Sequence, residues 1–163
     1  MPDTNAPSAE EQARRLEAVN HAVAGMLRRP DVALRLRSAG PDEWSALQIV
    51  GHMSEIVAYW TRQAQILAVA TGAPPQFGRN LDDPERLEAV RHGAGGEADQ
   101  LLRQLDGNIR MAATVFRNMT PAQRARTGIH NRLGEITVAQ AIQELVVEHC
   151  EDHQAQIKTT LGL

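Results

Sequence analysis

Apolar residues recur at three- and four-residue intervals in four long stretches of the chain, the pattern of helices that each bury one face. The first stretch covers about 9–29. Ser8 stands at its N-cap position with Glu11 three residues on, the spacing of a capping box, and Pro30 ends it. A connector over 31–44 is broken by Gly40-Pro41. The second helix is predicted from Ala46 to about Thr71, with Ser45 as cap and Gln48 closing a second box, and Gly72 and Pro74-Pro75 stop it. Residues 72–82 read as a surface crossover. The third helix opens on Asp83-Pro84, an acidic cap followed by proline at the first helical position, and extends to about Met119. A kink or break is expected at 92–96, where each glycine costs a helix up to about 1 kcal/mol relative to alanine. Thr120-Pro121 predicts a short turn or helical stub, 128–135 a loop, and the fourth helix follows Thr137, with Gln140 closing a third box, to about Leu161. No strand pair and no internal repeat is predicted. Amphipathic helices of this length bury their stripes against one another, so the fold class is all-α, a four-helix bundle, with 1–163 as one domain and 1–7 as a flexible tail.

Composition narrows the class of partner. A length of 163 residues is enough to bury a core without staples. Aromatic residues make up only 3%, so that core must come from Leu, Ile, Val, Ala and Met. The formal net charge is −3 and the 17 basic residues are dispersed, which weighs against a nucleic-acid partner. No run approaches the roughly 18 apolar residues of a membrane span. Cys150 is the single cysteine, which excludes an intrachain disulfide and suits a reducing compartment. Residues 1–13 are polar and acidic, unlike a secretory leader. These features together predict a cytoplasmic protein whose partner is neither nucleic acid nor membrane; a small-molecule substrate is what the enzyme reading given below implies.

The six histidines are not equivalent. At about 100° per residue, Val138, Ile142, Leu145, Val146 and Ile157 share one side of the fourth helix, and His149 and His153 fall in the middle of that side. Side chains four residues apart on a helix are neighbours, with Cβ atoms about 5–6 Å apart. Two imidazoles would then point together into an apolar interior, where an unpartnered ring nitrogen costs free energy. A divalent ion satisfies both at once; hydrogen bonds to backbone or water would do so separately. On the second helix, Ile49, Met53, Ile56, Val57, Trp60 and Leu67 form the apolar side, and His52 lies at its edge beside Gln48, Glu55 and Tyr59. A third imidazole there would complete a three-nitrogen site with open positions, as catalytic metal sites have. The stretch His149-Cys150-Glu151-Asp152-His153 is not a zinc-protease H-E-x-x-H motif, because Cys150 stands where that chemistry needs Glu.

Other side chains have two readings each. Glu55, one turn from His52, could orient its imidazole or act as a base, or be a solvated helix-edge residue. Gln156, three residues after His153, could reach a metal-bound water or pack on the helix face. Tyr59 could bring a hydroxyl to the site or fill the core edge. Cys150 points about 100° away from His149 and reads as a small packed residue rather than a ligand or nucleophile. His21 and His92 read as helix-surface residues, and His130 as a solvated loop histidine within possible reach of a substrate. Trp44 is expected to pack at the start of the second helix and support the presentation of His52.

Two stretches carry a resemblance. Trp44-Ser45 followed by His52-Met53 is similar to the W-S-x-x-x-x-x-x-H-[LM] start of the second helix in DinB/YfiT-like proteins. His149 and His153 followed by Gln156-Ile157 resemble that family's H-x-x-x-H-x-x-Q-I ending. The resemblance implies an up-down-down-up four-helix bundle and a divalent ion (zinc, nickel or iron) held by His52, His149 and His153. It also implies a homodimer, and an enzyme that transfers a low-molecular-weight thiol co-substrate to an electrophile. The alternatives it leaves are a metal-dependent hydrolase and a non-catalytic, stress-associated metal-binding dimer.

Overall fold

The computed structural model describes residues 6–163, and its bundle is built from four long helices around one apolar core. The first, α1 (Ala9–Leu27), buries Leu16, Val19, Val23 and Leu27 along one stripe. Its Ser8 hydroxyl accepts from Glu11 N–H, but only half of the expected capping box forms, because the Glu11 carboxylate pairs with Arg14 instead. The connector carries a short 3-10 turn, Pro30–Arg35. Next, α2 (Ala46–Val69) starts on a complete box: Gln48 N–H donates to Ser45 Oγ at 3.3 Å, and Ser45 N–H donates to Gln48 Oε1 at 2.9 Å. The expected break in the third helix is real. It separates α3 (Pro84–Gly95) from α4 (Ala98–Asn118), and α4 buries Leu101, Leu105, Ile109 and Phe116. A stub, α5 (Pro121–Arg124), comes next, capped by Thr120 and Gln123.

Side-chain ties give the helix directions. Asn20 donates to Asp106 at 2.7 Å, and Arg117 reaches back to both Glu10 and Glu17, so α1 runs against α4. Arg15 meets Glu151 at 2.6 Å, so α1 runs alongside the last bundle helix. Gln12 meets Ala139 before Arg15 meets Glu151, so these two run parallel, while α2 has His52 beside His149 and Leu67 beside Gly128 and so runs the other way; the four long helices follow the expected up-down-down-up order. These ion pairs are mostly exposed and fix orientation more than they stabilise. Of the tail expected at 1–7, residues 1–5 lie outside the described residues, while the Pro7 carbonyl accepts from Arg124 at 2.8 Å.

Three features depart from the sequence expectation. A small sheet is present: β1 (Gln76–Phe77) pairs in parallel with β2 (Thr127–His130), which pairs antiparallel with β3 (Gly134–Thr137). These strands lie in the segments expected as crossover and loop, and each is too short for two-residue alternation to stand out. The second departure is α3, which folds back against α2 instead of extending the third bundle helix. Gly51 and Gly93 allow that close crossing. A Cβ on Gly51 would lie 2.6 Å from the Ala89 carbonyl oxygen, and one on Gly93 would lie 2.5 Å from that of Leu47. Because the obstructing atoms are backbone, Gly93→Ala is expected to destabilise the protein by about 1–3 kcal/mol, the cost of overpacking. Urea denaturation checks this, and an unchanged midpoint would mean that α3 does not cross α2 this closely.

The last bundle helix holds the third departure. It begins with α6 (Val138–Ile142) on a full Thr137/Gln140 box and ends with α7 (His149–Thr160). Between them, Gln143–Glu148 forms a π turn, in which the backbone bonds run i to i+5 and the helix is locally wider. Accommodating a wider turn delays every later residue on the helical wheel. Accordingly Cys150 is fully buried while His149 and His153 are only half-buried, at the border of the core rather than in the middle of its stripe.

Candidate metal centre

His52, in the second turn of α2, and His149 and His153, at the start of α7, meet at this border. One nitrogen from each ring lies within 4.8 Å of the others. The ring centroids are 4.9 Å apart for His52 and His153, 4.8 Å for His149 and His153, and 5.8 Å for His52 and His149. His52, which the wheel placed at the edge of the apolar side, is 2% exposed. Its ring is packed among Trp44, His149 and His153, a set of contacts that helical phase does not reveal.

The rings are held from outside. Trp44 packs edge-on to His52 at 5.0 Å, the supporting role expected of it. Gln156 Oε1 lies 2.8 Å from His153 Nδ1. With the proton on that nitrogen, Gln156 accepts it, and the lone pair of His153 is on Nε2. Among the described residues that Nε2 is buried with no hydrogen-bond partner, and so is Nδ1 of His52. Two orphaned buried nitrogens in one cluster are costly unless something binds them. A divalent ion fits that requirement, because its imidazole ligands are neutral and offer lone pairs.

The electrostatics favour neutral rings. Burial, then the neighbouring His153 and His149 charges, push the His52 pKa down to about 2. Burial and then His153 bring His149 down to about 4, against an opposing pull from Asp152. Burial lowers His153 as well, opposed by its bond to Gln156. All three therefore carry lone pairs at neutral pH. A cleft of about 660 Å3 opens beside them, lined by Trp44, His153, Gln156 and the 38–43 loop, and leads to the cluster through His153.

The other candidates sort differently. Glu55 neither orients His52 nor is solvated. It forms a two-pronged ion pair with Arg79, one prong 2.7 Å long, and both side chains are nearly buried. Arg79 is the residue that sequence reasoning missed, because the crossover segment that carries it gave no periodic signal. Tyr59 stands with that pair at the α2–α3 groove, its ring 4.0 Å beneath the Arg79 guanidinium and edge-on to Trp60 at 4.8 Å, rather than among the imidazoles. His130 is not a solvated loop residue. It is 3% exposed on β2, 5.1 Å from Phe77 and 5.6 Å from Trp60, with Nδ1 accepting from the N–H of Leu133 at 3.2 Å. Cys150 is packed as expected, and burial pushes its thiol pKa up, so it supplies no thiolate. His21 and His92 are exposed.

A family model described as the DinB superfamily matches residues 6–157. The chain belongs to the DinB superfamily. No curated protein matches it. Among solved structures, this DinB chain is similar to YfiT from Bacillus subtilis, described as a probable metal-dependent hydrolase with an unusual four-helix bundle topology. The TM-score is 0.72 at 18% identity, over 98% of this chain and 91% of that one. It is also similar to a mycothiol-dependent maleylpyruvate isomerase, with a TM-score of 0.67 at 10% identity over 93% of this chain. A variant of such an isomerase gives 0.71 at 9% identity. The chain spans 61% of the isomerase's length. At these identities the likeness establishes the DinB fold. No helix among the described residues is long and apolar enough to cross a membrane.

Proposed function

We propose that this DinB protein is a divalent-metal-dependent enzyme in which His52, His149 and His153 hold the ion, and that it transfers a low-molecular-weight thiol to a small electrophile. The observation that carries the reading is the pair of buried, unpartnered ring nitrogens, His52 Nδ1 and His153 Nε2, within one three-imidazole cluster. Zinc, nickel or iron each suits imidazole ligands. When bound, such an ion supplies Lewis acidity that lowers the pKa of a thiol or water placed on it.

The chain's own residues do the rest. Gln156 holds the His153 ring through Nδ1 and leaves Nε2 free. Trp44 fixes the tilt of His52 and walls the cleft. Cys150 is buried, and Glu55 is committed to Arg79, so neither is available as nucleophile or base at the cluster. On this reading the nucleophile comes from solution, as a thiol or as water. The likeness to a mycothiol-dependent enzyme supports the thiol. The likeness to YfiT, over nearly its whole length, supports water and a hydrolase as the second reading.

Turnover of an activated electrophile by the metal-loaded protein, with and without added thiol, separates the two. The transferase reading expects activity to depend on thiol and the product to carry it. Equal rates without thiol, with a hydrolysed product, would replace it with the hydrolase.

A further inference from the structure

Gln12 is a fully buried amide on α1, where a leucine would have continued the apolar stripe of Ala13, Leu16 and Val19 at lower desolvation cost. Both polar atoms of its carboxamide are used. Nε2 donates to the Ala139 carbonyl at 2.9 Å and to Gln143 Oε1 at 3.3 Å, and Oε1 accepts from Arg124 at 2.9 Å. The contact with Gln143 is at the first residue of the π turn, and the contact with Ala139 is one turn before it. Gln143 in turn donates to Glu148 Oε1 at 2.7 Å, from one end of that turn to the other. On an α-helix, residues five apart point about 140° away from each other and would not face one another so directly. The Gln143–Glu148 bond therefore suits the wide turn, and Gln12 secures the residue from which it starts.

The π turn sets the phase of α7. In an unbroken α-helix the stripe through Val138, Ile142 and Val146 continues through His149 and His153. With the π turn in place, Cys150 takes the core position, and the two histidines stand at the border where His52 meets them.

We propose that Gln12, acting through Gln143, is a positioning residue that holds the π turn and so sets the rotation of His149 and His153 toward His52. In its effect on metal binding the inference rests on the metal reading above; in its effect on the helix it does not. Cys150 gives a metal-independent readout, because a helix relaxed to α register turns this sole cysteine out of the core.

The experiment measures labelling of Cys150 by a thiol reagent in folded, metal-free protein, and zinc affinity in parallel, for wild type, Gln12→Leu, Gln143→Leu and a core control, Ile109→Val. Wild type and the control are expected to stay protected. Both glutamine variants are expected to become labelled under native conditions and to lose zinc affinity by about tenfold or more, the range typical when a residue supporting metal ligands is removed. If Cys150 stays as protected in the glutamine variants as in the control, the inference is overturned, whatever the metal does. If wild type takes up no metal while the variants still expose Cys150, the metal reading fails and the role of Gln12 in the helix stands. Should Gln12→Leu not fold, Gln143→Leu decides by the same two measurements.

Discussion

Replacing His149 and His153 together by alanine is expected to abolish metal retention while leaving the bundle folded. Wild-type protein purified without an affinity tag should carry about one ion per chain, and the double variant none. The physical reason lies in the orphaned nitrogens. Without an ion, His153 Nε2 is a buried polar atom with no partner among the described residues, so removing that imidazole relieves a desolvation cost that offsets the loss of its exposed bond to Gln156. The metal-free variant should thus be about as stable as metal-free wild type. An ion at a thousand times its dissociation constant stabilises the form that binds it by about 4 kcal/mol, and only wild type can gain this. Thermal denaturation with and without zinc, nickel or iron is the check. A metal-induced rise in Tm that survives the double substitution would place the ion elsewhere, and no rise in wild type would reduce the three histidines to packing residues.

Acidification is expected to destabilise the metal-free protein steeply below about pH 6.5. The unfolded chain protonates its histidines near 6.5, whereas in the fold His52 resists protonation down to about 2 and His149 down to about 4. Below 6.5 the unfolded state therefore binds more protons than the folded one, and stability falls as pH falls. The loss continues to about pH 4 for His149 and to about pH 2 for His52. At pH 5 each ring contributes a loss on the order of 2 kcal/mol. A bound ion competes with the same protons, so the loaded protein should keep its stability to lower pH. Urea denaturation from pH 7.5 to 5 tests this against the His149→Ala/His153→Ala variant, whose profile should be flatter. Parallel profiles would mean that the rings are not shielded as the fold implies.

How much of this was legible in the chain depends on the range of the forces involved. Helix ends were readable because caps act within four residues: Ser45 with Gln48 and Thr137 with Gln140 both close as expected. The break in the third helix was readable from its glycines. The hairpin of β2 and β3 was not, since four-residue strands show too little alternation, and the parallel partner β1 comes from about fifty residues earlier. His130 was misplaced for the same reason, as its burial depends on Phe77 and Trp60 from two other segments.

The candidate site divides along the same line. Its composition was local information: three histidines, two of them four residues apart on one helix and the third two turns into a helix that opens on Trp44-Ser45. Its exposure and orientation were not. A wheel with constant pitch put His149 and His153 in mid-stripe and His52 at an edge; the π turn moves the pair to the border, and Trp44 and the other two imidazoles leave His52 buried. Glu55 read as solvated because its partner Arg79 comes from a segment without periodic pattern. The sequence by itself determined the helices, their caps and the identity of the three imidazoles, because hydrophobic period and capping are properties of neighbouring residues. Only the tertiary structure decided that those imidazoles meet with two nitrogens left unpaired, because that depends on helix phase and on packing between segments some hundred residues apart.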